Sequence, residues 1–167
     1  MEIWDAYYQD GTPAGIDLVR GEKIPDGLFH MVSEVLIRHE DGDYLLMKRD
    51  PRKPIFSGYE EASAGGSALK GEDAHTCAMR ELREETGICN ATLTPIARVV
   101  SDNVIYYSFL GETTCDKTTI TLQKGETVSY RWVNEQMFMQ FVRSDRMIPT
   151  QKEHYRPYLQ KHGYLPK

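Results

Sequence analysis

The sequence predicts an α+β fold in which helices cover both sides of a mixed β-sheet, an α/β/α arrangement. Two observations lead to this fold class. Segments with strand character outnumber helical ones along the 167 residues, and one well-defined helix, predicted over 73–86, interrupts the run of strands. No internal repeat, low-complexity segment or linker divides the chain, so residues 1–167 are predicted to form a single domain.

The N-terminal half is predicted to consist of strands joined by turns. Strands over 3–8 and 17–20 flank a turn that contains Gly11 and Pro13, which gives an N-terminal hairpin over residues 3–20. Further strands are predicted over 29–38, 44–48 and 59–64. The last of these leads the chain to Gly65 and the predicted helix.

The C-terminal half is predicted to add strands and then to end on helices. The strands are predicted over 93–101, 104–110, 118–122 and 128–133. Asn134 caps a short helix that runs to about residue 142, and residues 150–162 are predicted to form a terminal helix with Gly163 beyond its end. The C-terminal helices therefore occupy about 134–162.

Composition narrows the choice of partners. The net charge is −5 and no block of basic residues is present, so long nucleic acid is not an expected partner. A small phosphorylated substrate stays compatible with this charge, because a few local cations can hold it. Composition does not decide whether the chain forms a homodimer.

Cysteine usage and hydropathy indicate a cytoplasmic protein. The three cysteines, Cys77, Cys89 and Cys115, are odd in number and form no CxxC pair, which argues against a disulfide framework and a cysteine zinc site. The first residues do not form a basic-then-apolar signal peptide. No apolar run approaches the 18 residues that a membrane-spanning helix needs.

The helix predicted over 73–86 directs carboxylates toward the protein core. At about 100° per residue, the core side carries Ala74, Cys77, Ala78 and Leu82. Three acidic residues lie on this side or at its edge, Glu81, Glu84 and Glu85, and Arg80 points obliquely outward. Repulsion between acids four residues apart costs roughly 0.2–0.5 kcal/mol, and the helix C-terminus disfavours each negative charge by about 0.3–1 kcal/mol. Folding alone does not account for this arrangement.

A bound cation would account for it. Oxygen donors without a nearby histidine favour a hard ion, Mg²⁺ or Mn²⁺, over Zn²⁺. On composition alone, an acid-rich solvated helix explains the same residues equally well.

Residues 66–88 resemble the Nudix box and favour the metal site. The box consists of Gly, five residues, Glu, seven residues, and then Arg-Glu-apolar-any-Glu-Glu-any-Gly-apolar. All nine constrained positions over these 23 residues match, from Gly66 to Ile88. The resemblance implies the Nudix fold, an α/β/α sandwich around a mixed sheet. It also implies a metal-dependent hydrolase that cleaves the diphosphate linkage of a small nucleoside-diphosphate-type metabolite.

The resemblance also implies roles for individual residues. The metal ligands correspond to Glu81, Glu84, Glu85 and the backbone carbonyl of Gly65. Arg80 corresponds to a residue that orients a ligand carboxylate, and Glu72 to its structural partner.

The general base and the phosphate-binding residues lie outside the box. Glu126 is the candidate base, with a solvated turn acid as the alternative reading and with Glu81 or Glu84 as other candidates. Four basic residues precede the box and are candidates to bind substrate phosphates, unless they only form a solvated basic loop: Lys48, Arg49, Arg52 and Lys53. Four tyrosines could stack on a base, although core packing is more typical of such residues: Tyr7, Tyr59, Tyr106 and Tyr107.

The resemblance extends to the isopentenyl-diphosphate-isomerase-like branch over roughly residues 3–135. It rests on Trp4-Asp5-Ala6-Tyr7, Arg20-Gly21-Glu22, Phe29-His30-Met31-Val32 and Lys48-Arg49. Isomerase activity is therefore an alternative, and a non-catalytic nucleotide sensor is another. Ala64 stands where the isomerase has a cysteine, Gly65 or Gly66 where it has a metal-binding histidine, and Ser101 and Asn103 where it has an acid pair. These differences and the intact box favour hydrolysis.

Overall fold

The structure, a computed structural model, describes residues 1–167 as a mixed sheet with helices on both faces. The strands are β1 (Ile3–Tyr7), β2 (Pro13–Val19), β3 (His30–His39), β4 (Tyr44–Arg49), β5 (Glu60–Glu61), β6 (Ala64–Ser67), β7 (Ala91–Ser101), β8 (Val104–Thr113) and β9 (Thr127–Val133). The helices are α1 (Ala74–Thr86), α2 (Glu135–Arg143), α3 (Pro149–His154) and α4 (Arg156–Lys161). The predicted α/β/α fold is confirmed.

Seven strands form the main sheet, and β3 is its centre. Strand β3 pairs in parallel with β8 along its whole length, and β8 pairs with β7 in antiparallel fashion. Since β8 occupies one edge of β3, the other edge is shared between β6, which pairs with residues 32–35, and β4, which pairs at Arg38. Strands β5 and β9 both pair with β4 in antiparallel fashion: β9 along the whole of β4, and β5 only at Met47 and Lys48. The predicted N-terminal hairpin forms a separate two-stranded sheet, β1–β2.

The alternation of side chains in β3 and β4 builds a core on each face of the sheet. One core packs against α1 and contains Val35, Ile37, Leu45, Met47, Ala78 and Leu82. The other core packs against the C-terminal helices and contains Leu36, Tyr44, Leu46, Phe138, Phe141 and Tyr155. By the period of two in a strand, Arg49 continues the α1 side of β4 and Lys48 continues the opposite side.

Helix α1 begins and ends where its sequence signals predict. The side chain of Asp73 accepts a hydrogen bond of 2.7 Å from the Thr76 N–H, which caps the N-terminus. Gly87 adopts φ of 79° and donates its N–H to the Arg83 carbonyl, the left-handed cap that glycine adopts without a steric penalty.

Three predicted elements differ from the observed ones. The strand predicted over 59–64 is split into β5 and β6. Residues 118–122 are irregular, because Asp116 accepts hydrogen bonds from both the N–H and the hydroxyl of Thr118 and so stabilises a turn. The helix predicted over 150–162 is divided into α3 and α4, because Pro157 has no N–H to continue the helical pattern and disfavours helical backbone at Arg156.

None of the four helices is both long and apolar enough to cross a membrane.

Candidate active site

A cavity of about 400 Å³ opens beside the C-terminal half of α1, and we name it the carboxylate cavity. Six carboxylates line it: Glu2, Glu61, Glu81, Glu84, Glu85 and Glu126. Four cationic side chains line it as well: Arg20, Arg49, Lys53 and Arg80. Gly65 and Gly66 of β6 form part of the wall. The residues that line the cavity therefore come from the box helix α1, from the central sheet, from the loop before β9 and from the ends of the N-terminal hairpin.

Glu85 is the most deeply buried of the box carboxylates. Its side chain points toward β6, where Oε2 accepts a hydrogen bond of 3.2 Å from the Gly65 N–H. Burial raises the pKa of Glu85 well above its ordinary value, and the charges of Glu61 and Glu81 raise that pKa further. Carboxylates that lie close together away from water repel one another, and this repulsion disfavours the ionised form of each. A cation between these groups would relieve the repulsion.

Arg80 connects the box carboxylates to β6. Its Nε and Nη2 atoms donate to Glu72 over 2.7 and 2.9 Å, and Nη1 donates to Glu81 over 2.7 Å. Nη2 also donates to the Ser67 carbonyl over 2.9 Å. The hydrogen bond to Glu72 raises the pKa of Arg80 and lowers that of Glu72. Arg80 was predicted to point obliquely outward, but its side chain is only 16% exposed, because the guanidinium folds back onto Glu72 and Glu81, the two carboxylates that the resemblance implied as its partners.

Glu81 and Glu84 differ in their surroundings. Burial raises the pKa of Glu81 even though Arg80 opposes the shift. Glu84 has a side chain that is 42% exposed, and its contact to Arg80 is longer, at 3.2 Å. Glu84 therefore lies at the mouth of the cavity and is free to reorient toward a ligand, whereas Glu81 is held in place.

The structure separates the four basic residues that were predicted to bind phosphate. Arg49 lines the carboxylate cavity, pairs with Glu61 and donates to the Ile55 carbonyl over 3.0 Å. Its Nε is buried without a hydrogen-bond partner. Lys48 lies on the other side of β4, in a depression that also contains Arg131, and Arg52 is paired with Asp50. Of the four, Arg49 and Lys53 are brought to the carboxylates.

Lys53 and Glu126 form an ion pair on the wall of the carboxylate cavity. The Asp50 N–H donates to the Glu126 carbonyl over 2.8 Å, which fixes the loop before β9 against the loop after β4. Glu126 therefore lies in a turn, with a side chain that is 37% exposed, and lines the same cavity as the box carboxylates. Lys53 provides the second cation at this wall.

Several residues of the cavity were not singled out from the sequence. Glu61 comes from β5, and Glu2 and Arg20 are an ion pair of 3.0 Å beside the ends of the N-terminal hairpin. Strand alternation in β4 could have distinguished Arg49 from Lys48. No local pattern connects Glu61 or the hairpin to α1, since their proximity depends on strand pairing across the sheet.

The donor set fits a hard divalent cation, although no three acidic, histidine or cysteine side chains are already arranged as a complete ligand set. The acidic side chains that line the cavity offer oxygen donors, and the buried Glu85, whose pKa is raised by burial and by the charges of Glu61 and Glu81, lies among them; such a group of carboxylates provides the negative charge that the ion requires. The exposed Glu84 would need to turn inward to complete the site.

Gly66 leaves room for the Glu81 carboxylate. A Cβ atom at Gly66 would lie 2.4 Å from this carboxylate, whereas a Cβ at Gly65 would lie 2.7 Å from the backbone oxygen of Ser33. Gly66→Ala is therefore expected to displace Glu81 and to lower activity by about 10–100-fold, with a change below about 1 kcal/mol in the free energy of unfolding. Steady-state kinetics and urea unfolding measure the two effects.

Gly65→Ala is the matched comparison for this prediction. Here the added methyl group meets the Ser33 backbone oxygen first, at 2.7 Å, and this atom cannot move aside as a side-chain end can, so we expect a loss of about 1–3 kcal/mol in the free energy of unfolding. Full activity in Gly66→Ala would show that the position of Glu81 is unimportant for the reaction.

Comparison with known proteins identifies the class of protein that carries this fold and cavity. Residues 29–157 match the family model described as the NUDIX domain. A protein of Listeria monocytogenes described as an uncharacterized Nudix hydrolase, lmo0368, is 33% identical over 152 residues, which cover 89% of each chain. The chain therefore belongs to the Nudix family and is a Nudix hydrolase. Members of this family generally use divalent metals and act on nucleoside diphosphate derivatives.

Solved structures show the same fold. The crystal structure of DR0079 from Deinococcus radiodurans has a TM-score of 0.73 at 16% identity and covers 93% of this chain and 98% of that chain. The MutT protein from Methanosarcina mazei has a TM-score of 0.64 at 21% identity and covers 80% of this chain and 95% of that chain. At these identities the likeness extends to the fold alone.

Proposed function

We propose that this protein is a Mg²⁺- or Mn²⁺-dependent hydrolase that cleaves the diphosphate linkage of a small nucleoside-diphosphate-type metabolite. The observation that carries the proposal is the carboxylate cavity, where the complete Nudix box presents Glu81, Glu84 and Glu85 beside the buried Glu61. Glu81, Glu61 and Glu126 each have a cationic partner, but the buried Glu85 forms no ion pair, so a bound metal cation would balance its charge.

Four groups are proposed to hold the metal: Glu81, Glu84, Glu85 and the backbone carbonyl of Gly65. The metal would neutralise phosphate charge and lower the pKa of a bound water. Arg80 holds Glu81 in position through its 2.7 Å hydrogen bond and so acts as a positioning residue, with Glu72 fixing Arg80 in turn.

Substrate phosphates are proposed to contact Arg49 and Lys53, the two cations on the wall opposite α1. Arg49 reaches this wall with a side chain that is 17% exposed, and a guanidinium can donate to phosphate oxygens. Glu126 is proposed as the general base, because it lines the same cavity and a carboxylate at this wall can accept a proton from an attacking water. Glu81 and Glu84 are the other candidates for this role.

The chain is proposed to belong to the isopentenyl-diphosphate-isomerase-like branch while acting as a hydrolase. The residues that carry this resemblance include His30, which stacks on Trp4 with ring centroids 4.3 Å apart and does not line the carboxylate cavity. No cysteine lines that cavity, and Ser101 and Asn103 lie at the turn between β7 and β8. An isomerase acid pair therefore has no counterpart at the site.

The experiment that tests this function measures phosphate and monophosphate release from a panel of diphosphates with Mg²⁺, Mn²⁺ or a chelator. The panel contains nucleoside di- and triphosphates, nucleotide sugars, dinucleotides, coenzyme A and isopentenyl diphosphate. We expect metal-dependent release from at least one compound and a loss of at least tenfold in Glu84→Gln. Metal-dependent binding without turnover would instead indicate a sensor, and double-bond migration in isopentenyl diphosphate would indicate an isomerase.

A further inference from the structure

A depression of about 370 Å³ lies on the side of the sheet opposite α1, and we name it the basic depression. Its volume is close to the 400 Å³ of the carboxylate cavity, but the charge of its lining is reversed. Three cationic side chains and one carboxylate line it: Lys48, Arg131, Arg146 and Glu60. In a chain with a net charge of −5, this surface is locally positive and therefore suits an anion.

Strand pairing builds the floor of the basic depression. Strand β4 pairs with β5 on one edge and with β9 on the other, which places Lys48 between Glu60 and Ser129. Arg131 pairs with Leu46, two residues before Lys48. Because residues two apart in a strand point to the same face, the cations of β4 and β9 lie side by side on one surface.

Glu60 holds the Arg131 guanidinium in place at this floor. Its two carboxylate oxygens accept hydrogen bonds of 2.7 Å from Nε and 2.9 Å from Nη2 of Arg131. The bidentate contact crosses β4 diagonally and leaves the Nη1 group of Arg131 without a partner in the protein. The Arg131 side chain is 38% exposed, so a ligand in the depression can reach the remaining donors.

The other two cations form no ion pair. The Lys48 ammonium and the Arg146 guanidinium have no side-chain partner in the protein. Arg146 comes from the loop between α2 and α3, and the next residue, Met147, pairs with Glu60 and so holds this loop at the depression. Asp145 lines the adjoining surface without forming an ion pair with Arg146. A single exposed cation is ordinarily solvated, but here two of them flank one fixed guanidinium.

This arrangement matches the charge of a phosphate group. Guanidinium and ammonium groups donate charge-assisted hydrogen bonds to phosphate oxygens, and the Ser129 hydroxyl at the same surface can donate as well. A monovalent anion would neutralise only part of the positive charge. Three cations are too few for an extended polyanion or an anionic membrane surface, which larger basic clusters bind.

We propose that the basic depression binds a phosphate group, either free or carried by a small molecule, at a site separate from the carboxylate cavity. This inference goes beyond the proposed function and does not depend on it, because the two surfaces share no lining residue. Neighbouring residues of the same strands serve the two sites. Lys48 and Glu60 face the basic depression, whereas Arg49 and Glu61 face the carboxylate cavity, as the alternation of side chains in β4 and β5 requires.

Removal of divalent metal separates the two sites in the experiment. Without metal, the carboxylate cavity presents six carboxylates against four cations and repels phosphate, whereas the basic depression needs no metal. Binding of inorganic phosphate and of a simple monoester, glycerol phosphate, is measured by calorimetry on the full chain in buffer treated with a chelating resin. We expect one saturable site, and the tighter of the two ligands identifies the source of the phosphate group. Binding no tighter than that of chloride at the same ionic strength would overturn the proposal.

Two substitutions locate the site. Lys48→Gln and Arg146→Gln each remove one positive charge from an exposed side chain, and each is expected to weaken phosphate binding by about tenfold. Arg131 is left unchanged, because its loss would leave Glu60 without its partner. Thermal unfolding verifies that both variants fold, as surface substitutions normally do. Unchanged affinity in both folded variants would contradict the assignment.

Two matched controls make the same chemical change elsewhere. Lys23→Gln removes a charge whose side chain is 88% exposed, and Lys53→Gln removes one from the wall of the carboxylate cavity. We expect less than about a twofold change in metal-free phosphate binding for either variant. An equal loss in Lys23→Gln would indicate non-specific attraction, and a loss confined to Lys53→Gln would move the anion to the carboxylate cavity; either result rejects the site.

Failure of this proposal and failure of the proposed function are distinguishable. Metal-free phosphate binding that depends on Lys48 and Arg146, in a protein that hydrolyses no compound of the panel, would reject the hydrolase and keep the basic depression as a binding site. Metal-dependent hydrolysis in a protein without metal-free phosphate binding would keep the hydrolase and reject the second site.

Discussion

Glu85→Gln is expected to lower activity by about 10²–10³-fold and at the same time to stabilise the metal-free protein by about 0.5–2 kcal/mol. The carboxylate is buried beside Glu61 and Glu81, and both neighbours raise its pKa. Glutamine keeps an oxygen for the Gly65 N–H, which donates to Glu85 over 3.2 Å. The substitution therefore removes the repulsion and the ligand charge but not the hydrogen bond.

Urea unfolding with and without Mg²⁺ separates these effects. A ligand that binds only the folded state stabilises it in proportion to its affinity, so wild-type protein should gain stability on addition of Mg²⁺ and the variant should gain much less. Glu40→Gln changes an exposed glutamate in the turn after β3 and is the matched control. A variant that loses stability without metal and keeps its Mg²⁺ response would show that Glu85 is structural.

The fold could be predicted from the sequence because its main signals are local. Asp73 and Gly87 mark the two ends of α1, and alternation defines the long strands. The wrong predictions over 118–122 and 150–162 have local causes that are visible in the sequence. Pro157 divides the terminal helix, and Asp116 stabilises a turn in a β-branched segment that otherwise favours a strand.

The box residues could be placed in the candidate site from the sequence because they share one helix and its preceding strand. The rest of the site is non-local. Lys53 and Glu126, which form an ion pair on its wall, are separated by 73 residues, and Glu2 and Arg20 by 18 residues. Such pairs leave no periodic pattern, so they become visible only when the strands and loops are assembled into the fold.

The position of the Arg80 guanidinium could not be predicted from the angle at which the residue leaves the helix axis. The angle about the axis directs Arg80 partly toward solvent, but its long side chain bends across the helix to reach Glu72 and the Ser67 carbonyl. The guanidinium can do this because its donors form a planar fork that matches a carboxylate. The direction of the Cα–Cβ bond therefore says little about where such a charge lies.

Arg80→Gln is expected to lower the free energy of unfolding by about 2–3 kcal/mol, because it leaves two part-buried carboxylates without a cation. Glu72 and Glu81 are only 14% and 13% exposed in their side chains, so water can replace the lost hydrogen bonds only in part. Arg80→Lys should recover charge but not the bidentate contact to Glu72, and we expect it to recover about half of the lost stability.

A double-mutant cycle tests whether this effect belongs to the Arg80–Glu72 pair. Glu72→Gln alone should cost about 1–2 kcal/mol, and the two substitutions together should cost less than their sum by about 1–2 kcal/mol. Arg83→Gln, one turn along the exposed side of α1, is the control and should change stability by less than about 1 kcal/mol. Strict additivity would mean that Arg80 stabilises the protein through Glu81 and β6 independently of Glu72.

The response to Mg²⁺ tests whether Arg80 also positions a metal ligand. Because Arg80 contacts Glu81, its loss should weaken the Mg²⁺-dependent gain in stability. A purely structural arginine would leave this gain unchanged.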